Sequence, residues 1–116
     1  MKYEITKSFR FEACHSLPHL PASHQCSRNH GHSYELIVGV CGPLENEWVQ
    51  DYADISAAVM PVVKRLDHYD LNDVLPCATT AENLAGEIFK RVKAAGLPVV
   101  RVRLYETVRG WAEVSE

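Results

Sequence analysis

The residues YEITKSFRFE at positions 3–12 alternate between apolar and polar side chains. The apolar residues form one face, which only Lys7 interrupts, and they are Tyr3, Ile5, Phe9 and Phe11. This period of two is typical of a strand with one buried face. The residues HSYELIVGVCG at 32–42 are rich in β-branched and aromatic side chains and stop at Gly42-Pro43, so they predict a second strand. The two stretches together predict an antiparallel ribbon.

Two helices are predicted after this ribbon. The first has Asp54 as its N-cap and a kink at Pro61. Its apolar positions at three-to-four spacing are Ile55, Val59, Val62 and Leu66. The second helix begins at the T-x-x-E capping box of residues 79–82 and ends near Gly96, which can adopt the positive φ of a helix C-terminus.

Two further strands are predicted near the C-terminal end. Residues 100–104 alternate between aliphatic and charged side chains, and Arg109-Gly110 can turn the chain into a short strand at 111–114. The order ββααββ therefore predicts an α+β fold. A length of 116 residues predicts a single domain over 1–116.

The composition is that of an ordinary globular protein, with 47% hydrophobic and 23% charged residues. The formal net charge of -3 provides no basic excess, which argues against nucleic acid as a partner. No apolar run suits a signal peptide or a membrane anchor, so we expect a cytoplasmic protein without a membrane partner. Its four cysteines lack a CxxC pair, and a reducing compartment would keep them as thiols.

Three histidines are the strongest indication of chemistry. His30 and His32 flank Gly31 at the start of the second predicted strand, and residues two apart on a strand project from the same face. His15 lies where the first strand ends, so antiparallel pairing can bring it close to the other two. Three neutral imidazoles and an open fourth position describe a catalytic zinc site.

The role of Cys26 has two interpretations. As a fourth zinc ligand it would close the site and make it structural. As a free thiolate near the metal and Arg28, it could instead serve as a general base. A chance HxH pair with an ordinary exposed thiol is the third possibility, and the histidine-rich loop between two strands argues against it.

Two carboxylates also draw attention. Asp67 precedes His68 at the end of the first predicted helix, and a carboxylate beside an imidazole is a frequent proton relay, although sequence neighbours do not usually face each other. Glu106 falls by alternation on the apolar face of the third strand, where a charge requires a partner. That partner is either a cationic side chain or a ligand with two parallel N–H donors, such as an aminopyrimidinone.

Five motifs, in this order, resemble the 6-pyruvoyltetrahydropterin synthase family: FEACHSLPHLP at 11–21, CSRNHGH at 26–32, LDHYDLND at 66–73, TTAENLA at 79–85 and LYET at 104–107. Within that family the resemblance is to the bacterial 6-carboxytetrahydropterin synthases of queuosine biosynthesis. It implies a T-fold, a four-stranded antiparallel sheet with two helices on one face, which assembles into trimers or hexamers with active sites at subunit interfaces. It also implies Zn²⁺ bound by His15, His30 and His32.

The resemblance implies roles for five further residues. Cys26 moves protons on the substrate side chain, and Asp67 and His68 complete the relay. Glu106 anchors the pterin ring, and Thr80 contacts it as well.

The substrate implied by the resemblance is 7,8-dihydroneopterin triphosphate. Loss of triphosphate and acetaldehyde leaves 6-carboxy-5,6,7,8-tetrahydropterin, whereas elimination of triphosphate alone gives the 6-pyruvoyl product. Relatives in which a glutamate replaces or joins the cysteine catalyse an aldolase-like cleavage, and the presence of Cys26 argues against that branch. Two alternatives of other classes are a non-catalytic, zinc-stabilised interaction module and a hydrolase that uses zinc hydroxide.

Overall fold

The computed structural model describes all residues from 1 to 116. The elements in chain order are β1 (Tyr3–His15), β2 (His30–Gly42), α1 (Tyr52–Lys64), α2 (Leu71–Val74), α3 (Ala81–Ala94), β3 (Val99–Thr107) and β4 (Gly110–Ser115). The four strands form one antiparallel sheet in the order β1-β2-β3-β4. The predicted α+β fold is confirmed, with the short helix α2 as an unpredicted addition.

The ribbon of β1 and β2 is longer than the sequence predicts. Both strands have 13 residues, and they pair without interruption from Tyr3 opposite Gly42 to His15 opposite His30. The odd-numbered residues of β1 remain on the buried face as far as His15. The alternation seen at 3–12 therefore also determines the direction in which His15 points.

Helices α1 and α3 cover one face of the sheet and enclose a single cluster of 23 buried apolar residues. Strands β1, β2 and β3 contribute alternate side chains to this cluster, which is the expected pattern for a sheet with one solvated face. Lys7, which interrupts the apolar face of β1, donates through Nζ to Oγ of Ser56 in α1 at 2.6 Å. No helix is both long and apolar enough to cross a membrane.

The predicted N-cap of the first helix is wrong. The helix starts at Tyr52, and Oδ1 of Asp51 accepts the backbone N–H of Ala53 at 2.9 Å. Asp54 instead lies in the first turn, where its carboxylate accepts a hydrogen bond from Gln50 and where negative charge favours the helix dipole. Pro61 lies within α1.

The start of the second predicted helix is shifted by one residue. Thr80 is the N-cap of α3, and its hydroxyl accepts the backbone N–H of Asn83 at 3.2 Å. Thr79 lies outside the helix and is buried. At the other end, Gly96 has a φ of 94°, which agrees with its predicted place after the helix.

Two register shifts shape β3. The first lies opposite Gly39 and Val40 and places Val99 in the core, where alternation had predicted Val100. The second lies between Tyr105 and Thr107, where Glu106 has no partner in β4. Bulges of this kind re-aim a side chain and are frequent beside active sites.

Candidate active site

The three predicted histidines converge at the end of the β1–β2 ribbon. His15 is paired directly with His30, and His32 lies two residues further along β2 on the same face. The ring centroids are 4.6 to 5.2 Å apart, and one ligand atom from each ring lies within 4.8 Å of the others. These three side chains could hold one metal ion.

The ring of His15 is fixed by its surroundings. It is 1% exposed, and its Nδ1 lies 2.8 Å from the backbone oxygen of Thr79. A carbonyl oxygen only accepts, so Nδ1 carries the proton and Nε2 carries the lone pair. Nε2 is buried and has no hydrogen-bond partner, although an unsatisfied buried polar atom costs about 1–3 kcal/mol. A bound metal ion would satisfy it.

His30 and His32 complete the donor set. Nδ1 of His30 donates to the backbone oxygen of Arg28 at 2.8 Å, which leaves its Nε2 free. Burial lowers the pKa of His32, and His15 and His30 lower it further, while the carboxylate of Glu106 opposes the shift. Nε2 of His32 is buried without a hydrogen bond, although it lies 3.2 Å from Oε1 of Glu106. The three rings therefore offer nitrogen atoms that make no hydrogen bond within the chain.

This donor set fits zinc. Three imidazole nitrogens with no fourth protein ligand are the arrangement of catalytic zinc sites. Cys26 does not belong to the group of ligand atoms that approach one another, so the structure does not bring it into the position of a fourth ligand.

A cleft of about 530 Å³ opens beside the histidines. Its lining residues are Gln25, Cys26, Arg28, Asn29, His30, His32, Glu106 and Thr107. Cys26 lies in a short 3-10 turn at Gln25–Ser27, where its backbone N–H donates to Nδ1 of His24 at 3.1 Å. The structure thus brings the predicted general base, two metal ligands and the predicted pterin anchor into one space.

Asp67 and His68 lie elsewhere. Oδ1 of Asp67 accepts the backbone N–H of Glu12 at 2.9 Å, and this bond, followed by the hydrogen bond from His68, lowers the pKa of the Asp67 carboxyl. Nδ1 of His68 lies 2.9 Å from Oδ2 of Asp67. The two neighbours face each other because His68 has a positive φ of 64°. The imidazole of His68 is 77% exposed and lines a second cleft of about 490 Å³ with Glu12, Cys14 and Ser33.

Thr80 is also outside the cleft of Cys26. Its hydroxyl caps α3, and the adjacent Ala81 lines a third cleft, of about 460 Å³, together with Glu106. Glu106 is therefore shared by two neighbouring spaces, one with Cys26 and one with the start of α3.

Sequence reasoning missed three residues around the site. Thr79 contacts His15, whereas its sequence context indicates only a capping box. His24 accepts the N–H of Cys26, and nothing in its sequence context indicates this. Tyr34 is fully buried with its hydroxyl unpaired, and burial raises its pKa. Its position two residues after His32 on the same strand face was the available signal.

Comparisons with known proteins agree with this picture. Residues 4–116 match the model of the family described as 6-pyruvoyl tetrahydropterin synthase. The 6-carboxy-5,6,7,8-tetrahydropterin synthase of Synechocystis sp. is 40% identical over 102 residues, which cover 81% of this chain and 78% of the relative. The dihydroneopterin monophosphate aldolase of Pyrococcus furiosus is 33% identical over 93 residues, covering 80% and 77%.

Solved structures show the same fold. The 6-pyruvoyl tetrahydropterin synthase of Caenorhabditis elegans superposes with a TM-score of 0.89 at 20% identity, covering 100% of this chain and 96% of the other. The predicted T-fold is thereby confirmed. The family match spans nearly the whole chain, and the relatives share at least 33% identity over most of it. The chain belongs to the 6-pyruvoyl tetrahydropterin synthase family.

Proposed function

We propose that the protein is a zinc-dependent lyase that converts 7,8-dihydroneopterin triphosphate to 6-carboxy-5,6,7,8-tetrahydropterin and releases acetaldehyde and triphosphate. The observation that carries the proposal is a three-histidine cluster whose neighbouring cysteine stays free in an adjoining cleft. His15, His30 and His32 would hold the metal. When bound, zinc makes hydroxyl groups of the substrate side chain more acidic.

Cys26 is assigned the role of general base. A thiolate is stabilised near positive charge, and Arg28 lines the same cleft. The backbone oxygen of Cys26 accepts the N–H of Leu17 at 2.8 Å, and this bond and the 3-10 turn hold the residue at the cleft. In this position Sγ can take a proton from a carbon of the substrate side chain and return it to another.

We propose that Glu106 anchors the pterin ring. The sequence left open whether a cationic side chain or a ligand neutralises this carboxylate. No lysine or arginine forms an ion pair with this carboxylate, whose Oε1 lies 3.2 Å from Nε2 of His32. The carboxylate therefore remains available for the two parallel N–H donors of an aminopyrimidinone ring.

We expect Glu106→Gln to weaken pterin binding. Loss of a charged hydrogen-bond acceptor costs about 1.5–3 kcal/mol, which corresponds to roughly a 10- to 100-fold decrease in kcat/KM. Steady-state kinetics and fluorescence titration with a product pterin measure the change. Glu45→Gln, an exposed carboxylate outside the clefts, is the matched control. An unchanged affinity for the pterin ring in Glu106→Gln would remove this residue from the proposal.

A homo-oligomer with shared active sites accounts for the position of His68. The clefts of Cys26 and His68 have only His32 in common among their lining residues, so one chain does not bring base and relay together. Strands β1 and β4 are the edges of the sheet, and long exposed edges require covering. We propose that trimers or hexamers form through these sheets and that His68 of one subunit completes the cleft of the next.

Mixed oligomers provide a test. Cys26→Ala and His68→Ala are each expected to be inactive alone. In cyclic oligomers assembled at random from both, about one quarter of the sites would contain an intact Cys26 and an intact His68 from different subunits. We therefore expect about one quarter of wild-type activity after co-refolding of the two variants. Hybrid oligomers that form but remain inactive would contradict an active site built across the interface.

The product is the part of the proposal that needs a direct assay. Curated relatives at 33% and 40% identity are named as an aldolase and a carboxytetrahydropterin synthase, so identity alone does not choose between them. Cys26 lies in the cleft, and Glu106 is the only carboxylate there, which favours the synthase. The product is identified by incubating the protein with dihydroneopterin triphosphate. Mass analysis then identifies the pterin, and a separate assay measures acetaldehyde. A 6-pyruvoyl product without acetaldehyde would favour the alternative synthase.

A non-catalytic zinc module remains the alternative of another class. If the metal were structural, chelation would unfold the chain, because binding and folding are coupled in such modules. In the proposed enzyme, chelation is expected to abolish turnover while the sheet stays folded. We place the activity in the cytoplasm and in the queuosine (7-deazapurine) pathway, with the pterin triphosphate as the small-molecule partner.

A further inference from the structure

Thr79 and Asn72 connect the metal ligand His15 to the backbone of the next residue. Thr79 is 1% exposed, and its Oγ1 lies 3.2 Å from Nδ1 of His15, in addition to the 2.8 Å contact of its backbone oxygen. The same hydroxyl lies 3.2 Å from Oδ1 of Asn72 and 3.3 Å from the backbone oxygen of Ser16. One buried hydroxyl thus links a metal ligand to two further groups.

The donors and acceptors of this network fix the direction of the hydrogen bond to His15. For the bond to His15 this means that Nδ1 donates and that both oxygens of Thr79 can accept. The hydroxyl proton of Thr79 then points away from His15, to either Ser16 or Asn72. The side chain of Asn72 clamps the backbone of Ser16, because its Oδ1 accepts the N–H at 2.9 Å and its Nδ2 donates to the oxygen at 3.0 Å. One network therefore holds both the ring of His15 and the backbone of Ser16, which follows it.

We propose that Thr79 and Asn72 are positioning residues that set the metal affinity of the site by fixing the tautomer and the orientation of His15. The inference rests on the metal site of the proposed function and extends it to residues outside the ligand set. Outer partners of a ligating histidine fix its tautomer and raise its basicity, and their loss typically weakens metal binding about 10- to 100-fold.

Three variants separate the hydroxyl from packing. Thr79→Val keeps the shape and the backbone oxygen but removes Oγ1, whereas Thr79→Ser keeps the hydroxyl and removes the methyl group. Asn72→Ala removes the two hydrogen bonds to the backbone of Ser16. Because Asn72 is exposed, this variant is expected to fold and provides the test if Thr79→Val does not fold. Thr6→Val, on the exposed face of β1, is the matched control.

Zinc affinity of the metal-free proteins is measured by competition with a chromogenic chelator. We expect about 10-fold weaker binding in Thr79→Val and Asn72→Ala, and affinity close to wild type in Thr79→Ser and Thr6→Val. Nitrogen-15 NMR of the metal-free protein should show the Nδ1–H tautomer of His15 both in the wild type and in Thr79→Val, because both keep the backbone oxygen that accepts this proton. The Nδ1 chemical shift should differ between the two, because Thr79→Val loses the second acceptor, Oγ1. A merely structural role of the hydroxyl would leave the Nδ1 chemical shift of His15 the same in Thr79→Ser and Thr79→Val.

Two results would overturn the inference. Equal zinc affinity in the wild type, Thr79→Val and Asn72→Ala would show that the network does not tune the site. Affinities that follow the melting temperatures of the variants, with Thr79→Ser as weak as Thr79→Val, would assign the effect to stability. A wild-type protein without zinc affinity is a different result, because it contradicts the proposed function itself.

Discussion

Replacement of Cys26 by alanine is expected to leave zinc binding unchanged and to lower kcat by about 100- to 10,000-fold, the range attributed to general acid–base catalysis. The thiol lies in the cleft beside His30 and His32 but outside the group of ligand atoms. Its removal therefore takes away a proton acceptor and leaves the three imidazoles in place. Cys26 is half-buried at the centre of a 3-10 turn and does not belong to the hydrophobic core, so alanine leaves the core untouched.

The measurement combines zinc content per chain, determined by mass spectrometry of the metal, with turnover of dihydroneopterin triphosphate. Cys41→Ala is the matched control, because this thiol lies on β2 far along the ribbon from the histidines and hydrogen-bonds the backbone oxygen of Tyr3. Full activity of Cys26→Ala would remove the general base from the mechanism. Loss of zinc in the same variant would instead identify the thiol as a ligand.

Replacement of His32 by alanine is expected to weaken zinc binding by more than about 100-fold and to abolish turnover. Loss of an outer partner already costs about 10- to 100-fold, and loss of one of three ligands should exceed that range. His32 is also the residue that contacts Glu106, so the variant loses the link between the metal ligands and the pterin anchor.

Zinc titration of the metal-free protein and circular dichroism provide the readouts. The control is His19→Ala, an exposed histidine of the loop that is not part of the cluster. Folding of His32→Ala should persist, because the 23-residue core does not include the histidines. If His32→Ala retains tight zinc binding, the ligand set is different from the one described. A thiolate band in the cobalt-substituted wild type would indicate the closed alternative.

The sheet and the convergence of the three histidines were predictable because both follow from the same period of two. The phase set by Phe9 and Phe11 extends to His15, and HxH spacing places His30 and His32 on a common face. Pairing of the two strands then brings the three rings together without further information. Glu106 was singled out in the same way, from its phase relative to Leu104, and its role as pterin anchor stays a prediction.

The predictions that were wrong or missing concern local hydrogen bonds, which do not follow from the periodicity of the sequence. Asp51 and Asp54 are both acceptable caps by residue type, and only the backbone geometry selects Asp51. Thr79 and Thr80 are adjacent and identical, yet one is buried against His15 and the other caps α3. Asp67 and His68 face each other because His68 has a positive φ. Residues other than glycine rarely adopt a positive φ, and the sequence around His68 does not indicate it.

The direct pairing of His15 with His30 has a consequence for how this family can vary. The loop between these two histidines begins and ends at adjacent positions of the β1–β2 ribbon. A backbone hydrogen bond from Leu17 to Cys26 brings two further residues of the loop together. Doubling the length of a flexible excursion costs only about 0.6 kcal/mol. Residues inserted between Leu17 and His24 would therefore leave the three histidines in place, whereas an insertion between Cys26 and His30 would move the thiol relative to them.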